Sequence, residues 1–254
     1  MLRARPRRRH GGRAHGGGPI AAVWSVEILV PTHRMVFALR GGEVVELRAG
    51  TTAGAFRAYR RLPDAVHGMI AWPNTVLLTG LDGGEPVVID PGYATQGEVL
   101  AGALSARGLS PEDVRTALAT HLHADHISAL PQLGPVDLHV HEIELATPHA
   151  HAVRGALDAA SVRPMTGASG EVLPGVRWIL TPGHTDGHVA FLVDSDEGLV
   201  AIAGDTPGPD PAWFARMDLP DGHPRRDEHL AAFRAIRDAS PRVVIPGHNP
   251  PMTL

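Results

Sequence analysis

Four side chains that can bind metal ions lie within the six-residue segment HLHADH, at positions 121–126. The segment directly follows residues 115–120, whose composition predicts a buried strand. Because side chains alternate along a strand, the first two histidines point the same way, whereas the aspartate and the third histidine fall where the chain turns. In a protein interior each group needs a hydrogen bond or a metal ion. The spacing suits two metal ions better than one, and the alternative is a polar loop with solvated histidines.

Three later segments also place a histidine or an aspartate just beyond the end of a predicted strand. They are TPGHTDGH at 181–188, Gly204-Asp205-Thr206 and PGHNP at 246–250. Loops at one edge of a rigid sheet are where binding sites are assembled. A single histidine in such a loop is a weak signal, but four such segments in order indicate one shared site.

Alternating strand-like and helix-like segments must position these loops. Strands are predicted at 23–30, 35–39, 74–81, 86–90, 115–120, 136–140, 176–180, 189–193, 199–203 and 242–245. Helices are predicted at 96–107, 142–160 and 226–239, with a further helix start at Ser110. Strands come in groups with helices between the groups. This pattern predicts an α+β fold in which helices cover the sheets, as a single domain over residues 19–254.

The composition limits what a metal site could be made from. The 254 residues include sixteen histidines and no cysteine, and all 23 basic residues are arginine. Without cysteine there is no disulfide framework, no zinc finger and no thiolate nucleophile. A metal site must therefore use histidine, aspartate, glutamate and water. The lysine-free composition indicates GC-rich coding, so the arginine count says little about nucleic acid.

Charge is distributed unevenly along the chain. Residues 1–18 contain six arginines, many glycines and no acid, which predicts a flexible basic tail or a wrongly assigned start codon, with export or RNA contact as alternatives. Residues 19–254 carry a net charge of −10, which argues against broad nucleic-acid binding. No run approaches about 18 apolar residues, so no transmembrane helix is expected. We expect a cytoplasmic protein that acts on a small molecule.

The order HxHxDH, TPGHT, GD and PGH resembles that of the metallo-β-lactamase-fold superfamily, from about Ile20 to the end of the chain. The resemblance implies an αββα sandwich with a dinuclear metal site in a cleft between two sheets. Carried over by position, it implies a first metal held by His121, His123 and His184, a second held by Asp125, His126 and His248, and Asp205 as the bridge. This ligand set suits zinc first, with iron or manganese as alternatives. Asp90, in the strand-plus-DPG element at 87–92, is expected to lie behind the ligands.

The chemistry implied is hydrolysis. Two metal ions about 3.5–4 Å apart would clamp a water molecule and lower its pKa, so that a hydroxide attacks a carbonyl or phosphoryl centre. Asp125 or Asp205 is the candidate catalytic group that accepts the proton. No serine or cysteine nucleophile is needed.

Differences between this sequence and known branches of the superfamily narrow the choice of substrate class. Without cysteine the β-lactamase subclasses with a Cys ligand are excluded, and Asp205 disfavours the subclass that lacks the bridging acid. The segment after Asp205 lacks the continuation typical of glyoxalase II and persulfide dioxygenases, and it lacks the tyrosine of acyl-homoserine lactonases. The gap between Asp205 and His248 is too short for a β-CASP nuclease insertion.

The leading hypothesis is a metal-dependent hydrolase of a small ester-like substrate, a lactone or a thioester. The alternatives are a phosphodiesterase or ribonuclease of the same fold, and a β-lactamase-like or non-catalytic metal-binding member. Trp213, Phe214 and His223 are candidate substrate contacts. A basic cleft would favour the phosphodiester, and an apolar cleft rimmed by Trp213 and Phe214 would favour the lactone or thioester.

The remaining histidines carry less weight. His188 is a candidate support behind His184. The four histidines at 139, 141, 149 and 151 are predicted to be surface or polar packing residues.

Overall fold

The structure, a computed structural model, describes residues 23–40, 43–46 and 66–254. The predicted basic tail at 1–18 lies outside the described residues. Near the start of the described chain, β2 (His33–Arg40) pairs antiparallel with β3 (Glu43–Glu46) and with β4 (Val66–Trp72) to form a small three-stranded sheet.

A twelve-stranded sheet contains the remaining strands and has two halves. The first half consists of β1 (Trp24–Val30), β5 (Thr75–Gly80), β6 (Val87–Ile89), β7 (Thr116–Leu118), β8 (Val136–His141) and β9 (Ala160–Met165). The second consists of β10 (Ser169–Leu173), β11 (Val176–Leu180), β12 (Val189–Ser195), β13 (Gly198–Gly204), β14 (Val243–Pro246) and β15 (Met252–Thr253). The order is β15-β14-β13-β12-β1-β5-β6-β7-β8-β9, with β10 and β11 branching from β12. The halves join where β1 pairs parallel with β12, at Trp24 and Ser195.

Within the part of the chain that the structure describes, seven α-helices connect the strands. They are α1 (Gly97–Ser105), α2 (Ala124–Ile127), α3 (Glu142–Leu145), α4 (Pro148–Ala152), α5 (Arg154–Asp158), α6 (Pro211–Arg216) and α7 (Arg226–Asp238). Short 3₁₀ turns occur at Ala94–Gln96, Pro111–Asp113 and Leu130–Leu133. Over the described residues, no helix combines the length and the apolar character needed to cross a membrane.

Three apolar clusters show how the layers stack. Leu100 and Leu104 of α1 pack with Val88 on the outer face of the first half-sheet. Phe233 and Ile236 of α7 pack with Ala201 and Val244 on the outer face of the second.

The third cluster lies between the half-sheets and contains residues of both, including Ile89 from β6, Phe191 from β12 and Ile202 from β13. Neighbouring residues on one strand, such as Ala201 and Ile202, therefore face different clusters, as the two-residue period of a strand requires. The predicted α+β arrangement of helix, sheet, sheet and helix is confirmed.

The predicted helix over 142–160 is wrong. The segment forms three short helices, because Pro148 lacks a backbone N–H and starts a new helix after the extended Thr147. The chain then enters β9, a strand that the sequence analysis missed, along with β10. The helix expected at Ser110 is only the 3₁₀ turn Pro111–Asp113.

A matched pair of leucines tests the apolar cluster between the two half-sheets. Leu78 in β5 is fully buried between the half-sheets, whereas Leu81, just beyond the same strand, is 58% exposed. We expect Leu78→Ala to lower the free energy of unfolding by about 2–5 kcal/mol, because it leaves a cavity. Leu81→Ala should change it by less than about 0.5 kcal/mol. Urea unfolding of both variants measures the difference, and equal small losses would contradict the layer assignment.

Candidate metal centre

The four predicted loops meet at one edge of the sheet. They follow β7, β11, β13 and β14, and backbone hydrogen bonds tie them together. Val189 N donates to Thr120 O at 2.9 Å, and Gly247 N donates to Gly204 O at 2.6 Å. The loops that carry the candidate ligands are therefore held at fixed separations by the strands and by each other.

The first group of donors consists of His121, His123, His184 and Asp205, whose ligand atoms all lie within 4.8 Å of one another. His184 Nε2 lies 2.9 Å from His123 Nδ1 and 3.3 Å from Asp205 Oδ2. His121 is fully buried, and its Nε2 has no hydrogen-bond partner.

The second group consists of Asp125, His126 and His248, again within 4.8 Å of one another. His248 Nε2 lies 3.1 Å from Asp125 Oδ2 and 3.3 Å from His126 Nε2. The carboxylate of Asp205 faces this group as well, with Oδ1 3.3 Å from His126 Nε2 and Oδ2 3.5 Å from His248 Nε2. Asp205, although counted in the first group, therefore lies between the three histidines of that group and the second group.

Two glycines make this approach possible. A Cβ on Gly247 would overlap the carboxylate of Asp205. Gly204 has a positive φ of 46°, and a Cβ there would lie 2.6 Å from both His188 Nε2 and Thr120 Oγ1. The GD and PGH motifs thus need their glycines for space next to the site.

Asp90 organises the first loop from behind, as predicted. Its carboxylate accepts hydrogen bonds from Thr120 N at 2.8 Å and from Thr120 Oγ1 at 2.7 Å, and it lies 2.9 Å from His126 Nδ1. Thr120 Oγ1, which has donated its hydrogen to Asp90, is left to accept from His121 Nδ1 at 3.0 Å. His121 thus turns its Nε2 lone pair toward the centre, and His126, whose Nδ1 faces Asp90, also points its Nε2 there, where a metal could bind both nitrogens.

His188 supports Asp205 and is itself fully engaged. The backbone N–H of Asp205 donates to His188 Nε2 at 3.1 Å, so His188 Nδ1 carries the hydrogen and faces Thr181 Oγ1 at 2.9 Å. Thr206 Oγ1 donates to the same threonine hydroxyl at 3.2 Å. The prediction placed His188 behind His184, whereas in the structure His188 hydrogen-bonds the backbone of Asp205.

Glu144 was not predicted from the sequence to belong to the site. Its buried carboxylate accepts a hydrogen bond from Leu122 N at 2.9 Å and one from Gly187 N at 3.0 Å. It therefore connects the loop of His121 and His123 with the loop of His184. Nothing in the sequence distinguishes this glutamate from the exposed ones around it.

His149, predicted to be a surface or packing residue, lies beside the centre. Its ring is 4.4 Å from the ring of His123, at 82° to it. It therefore packs against a candidate ligand at the rim.

Burial and mutual repulsion keep the histidines of the first group neutral. Burial lowers the pKa of His121 well below its ordinary value and lowers that of His123 to about 4. Burial also lowers the pKa of His184. A neutral imidazole has the free lone pair that a metal ligand needs.

The carboxylate of Asp205 stays ionised. Burial alone would raise its pKa, but the imidazoles of His248, His126 and His184 hold the pKa of that carboxyl well below its usual range. For His126, burial opposes protonation, yet the carboxylates of Asp205 and Asp90 raise the pKa well above its ordinary value. A cation that binds His126 Nε2 must therefore displace a proton.

A cavity of about 330 Å³ opens directly beside the first group and shares His184 and Asp205 with it. Its other walls come mainly from α6, α7 and the segment between them and include Trp213, Leu219, His223, Arg225, His229 and Phe233. Two of the predicted substrate contacts, Trp213 and His223, therefore line it, with their rings 5.4 Å apart. The third, Phe214, does not: it is fully buried and packs edge to face on Phe233. The sequence analysis missed His229, although it lies four residues before Phe233 on the apolar face of α7.

Comparison with known proteins identifies the family. The family model described as metallo-beta-lactamase superfamily matches residues 73–248, which include the four loops of the centre. The human metallo-beta-lactamase domain-containing protein 1 is 29% identical over 175 residues, which are 65% of this chain and 59% of that protein. The chain thus spans about three fifths of that relative's length.

Two relatives carry names that state an activity. An N-acyl homoserine lactonase of Bacillus cereus is 27% identical, over 44% of this chain and 46% of its own. An atrochrysone carboxyl ACP thioesterase of Aspergillus fumigatus is 27% identical, over 69% of this chain and 50% of its own.

Solved structures share the fold. A candidate metallo-beta-lactamase from Thermotoga maritima superposes with a TM-score of 0.65 at 19% identity, over 91% of this chain and all of its own. A protein solved in a di-iron-bound form superposes with a TM-score of 0.51 at 26% identity, over 71% of this chain and 89% of its own.

Glu144 and its exposed neighbour Glu142 form a matched test of the connection between the loops. In Glu144→Gln, one of the two backbone N–H groups faces an amide NH₂, which cannot accept its hydrogen bond, and one ligand loop loses its tether. We therefore expect the metal affinity to fall by about 10-fold to 100-fold. Glu142→Gln should leave the affinity unchanged, because that side chain is exposed. Competition with a chromophoric chelator measures both. Equal affinities for the two variants would show that Glu144 does not position the ligands.

Proposed function

The chain belongs to the metallo-beta-lactamase superfamily, and from that premise we propose that it is a metal-dependent hydrolase of a small ester-like substrate, a lactone or a thioester. The observation that carries the proposal is the carboxylate of Asp205. It lies between two groups of metal-binding side chains and also lines an apolar cavity.

The donor atoms fit two divalent metal ions. His121 Nε2 and Asp205 Oδ1 are buried without a hydrogen-bond partner, and a cation would satisfy both. We propose His121, His123 and His184 as ligands of one ion, Asp125, His126 and His248 as ligands of the other, and Asp205 as a ligand of both. The set of imidazole and carboxylate donors suits zinc first, with iron or manganese as alternatives. The structural neighbour solved with two iron atoms supports a site for two metals.

When bound, such ions act as Lewis acids toward a carbonyl oxygen and make a water molecule a stronger nucleophile at neutral pH. The side chains of the chain then supply positioning and proton transfer. Asp90 and Glu144 hold the ligand loops in place from outside the centre. Asp125 and Asp205 are the proposed proton acceptors. The side chain of Asp125 is 32% exposed and that of Asp205 13%, so Asp125 is the better placed to pass the proton to solvent.

The cavity favours an ester-like substrate over a phosphodiester. The arginine in its wall, Arg225, already pairs with Asp186 at 2.8 Å and with Glu228. A phosphate would have to compete with both carboxylates for this arginine. The names of the lactonase and thioesterase relatives support the same choice.

Metal analysis tests the centre. Purified protein should contain about two divalent ions per chain, because two groups of three side chains share Asp205. Elemental analysis after dialysis measures the ratio. Fewer than about one ion per chain, with the fold intact, would eliminate the dinuclear proposal.

Activity tests the roles of individual residues. His121→Ala and Asp205→Asn should each lower kcat/KM for lactone or thioester substrates by more than about 100-fold, because each removes a ligand rather than a residue that supports one. His151→Ala and Asp196→Asn, both at exposed positions, serve as matched controls and should retain activity. Circular dichroism verifies folding. Near-normal turnover in either ligand variant would refute the role proposed for that residue.

A further inference from the structure

We propose that the cavity beside Asp205 binds the uncharged acyl chain of the substrate and that its aromatic wall limits the length of that chain. This inference rests on the proposed function, because it assigns the acyl side of the ester or thioester to a particular part of the site. We call the cavity the acyl pocket. It is lined by Trp213, Leu219, His223, His229 and Phe233, with His184 and Asp205 at the end next to the metal centre.

The position of the acyl pocket fits this role. His184 and Asp205 belong both to its lining and to the first group of candidate ligands. A chain that fills the pocket therefore ends with its carbonyl group against the centre. The polar leaving group is left on the side away from the apolar walls.

The chemistry of the walls selects an uncharged chain. Leu219 and Phe233 are buried in the same apolar cluster, and Trp213 packs against that cluster. Because Arg225 already pairs with Asp186 and Glu228, a carboxylate on the acyl chain would lose its hydration without gaining a free cation. An aliphatic chain loses only unfavourable contact with water.

A series of edge-to-face ring contacts runs along the wall. The ring centroids of Trp213 and His223 are 5.4 Å apart, those of His223 and His229 4.9 Å, and those of His229 and Phe233 6.4 Å. Phe233 in turn packs at 5.3 Å on the fully buried Phe214. The series thus connects the mouth of the pocket with the core between α6, α7 and the sheet.

The wall also abuts the metal-binding loop. Gly183 precedes His184, has a φ of 140°, and would bring a Cβ within 2.8 Å of the His229 ring. The ring and the loop backbone are therefore in close contact. With a volume of about 330 Å³, near the lower end for small-molecule pockets, the acyl pocket sets an upper limit on chain length.

A series of thioesters from acetyl to dodecanoyl, assayed with the metal-loaded protein, tests the proposal. We expect kcat/KM to rise about fourfold per added methylene, corresponding to roughly 0.8 kcal/mol each, and then to level off or fall once the pocket is full. A glutaryl thioester should react at least about tenfold more slowly than the pentanoyl thioester, because its carboxylate must be buried.

Two wall variants should move the optimum in opposite directions. Trp213→Ala should shift it to longer chains, and Leu219→Phe should shift it to shorter ones. Leu254→Phe, at an exposed position near the end of the chain, is the matched control for Leu219→Phe and should leave the profile unchanged. A flat chain-length profile, or an optimum that neither variant moves, would overturn the assignment.

A binding assay distinguishes a failure of this inference from a failure of the proposed function. Methyl ketones of the same chain lengths are neutral and cannot be hydrolysed, and calorimetry measures their affinity. If affinity rises with chain length and Trp213→Ala shifts the limit, the acyl pocket stands even if no ester or thioester is cleaved. If esters are cleaved but neither the ketones nor the thioesters show any dependence on chain length, the proposed function stands and the acyl pocket does not.

Discussion

The arrangement of the centre depends on one buried carboxylate, that of Asp205, which faces imidazole nitrogens of both groups. A buried charge without partners would be strongly destabilising. Here His126, His184 and His248 surround it, and their combined attraction outweighs the cost of burial and keeps the carboxyl ionised. The carboxylate thus holds imidazoles of both groups around it, while the strands and backbone hydrogen bonds fix the separation of the ligand loops.

The surrounding residues serve mainly to hold that geometry. Asp90 and Thr120 set which nitrogen of His121 and His126 carries the hydrogen, so both Nε2 atoms point inward. His188 accepts the backbone N–H of Asp205, and Glu144 connects two ligand loops. These contacts are buried, so water cannot replace a lost partner, and each orientation is specified strongly.

The acyl pocket and the candidate metal centre share His184 and Asp205, so the pocket could make the proposed hydrolase selective. The family match covers the loops of the centre, which lie between residues 73 and 248. The pocket is built mainly from α6, α7 and the segment between them, which also lie within the matched residues. Most of the residues that would select the substrate therefore lie outside the ligand loops, although His229 packs against Gly183, next to His184.

The sequence alone identified the parts of the site whose signal is local. A strand end followed by HLHADH places alternating ligands by geometry alone, and the GD and PGH motifs carry glycines that leave room for Asp205. The buried strands of the twelve-stranded sheet were also predictable, because such strands show a clear two-residue period or a continuous apolar run.

Features that depend on contacts between distant segments could be seen only in the tertiary structure. The edge strand β9 is defined by its pairing with β8, so a local pattern could not show that the helices after Pro148 are short and are followed by a strand. Glu144 is an ordinary glutamate until folding places it between Leu122 N and Gly187 N, 22 and 43 residues away. The same holds for the cavity wall, where Phe214 was predicted as a substrate contact and His229 was not. The packing of α6 and α7 against the sheet buries Phe214 and points His229 toward the cavity. Residue type and spacing determine which chemistry is available, whereas packing determines which side chains face each other.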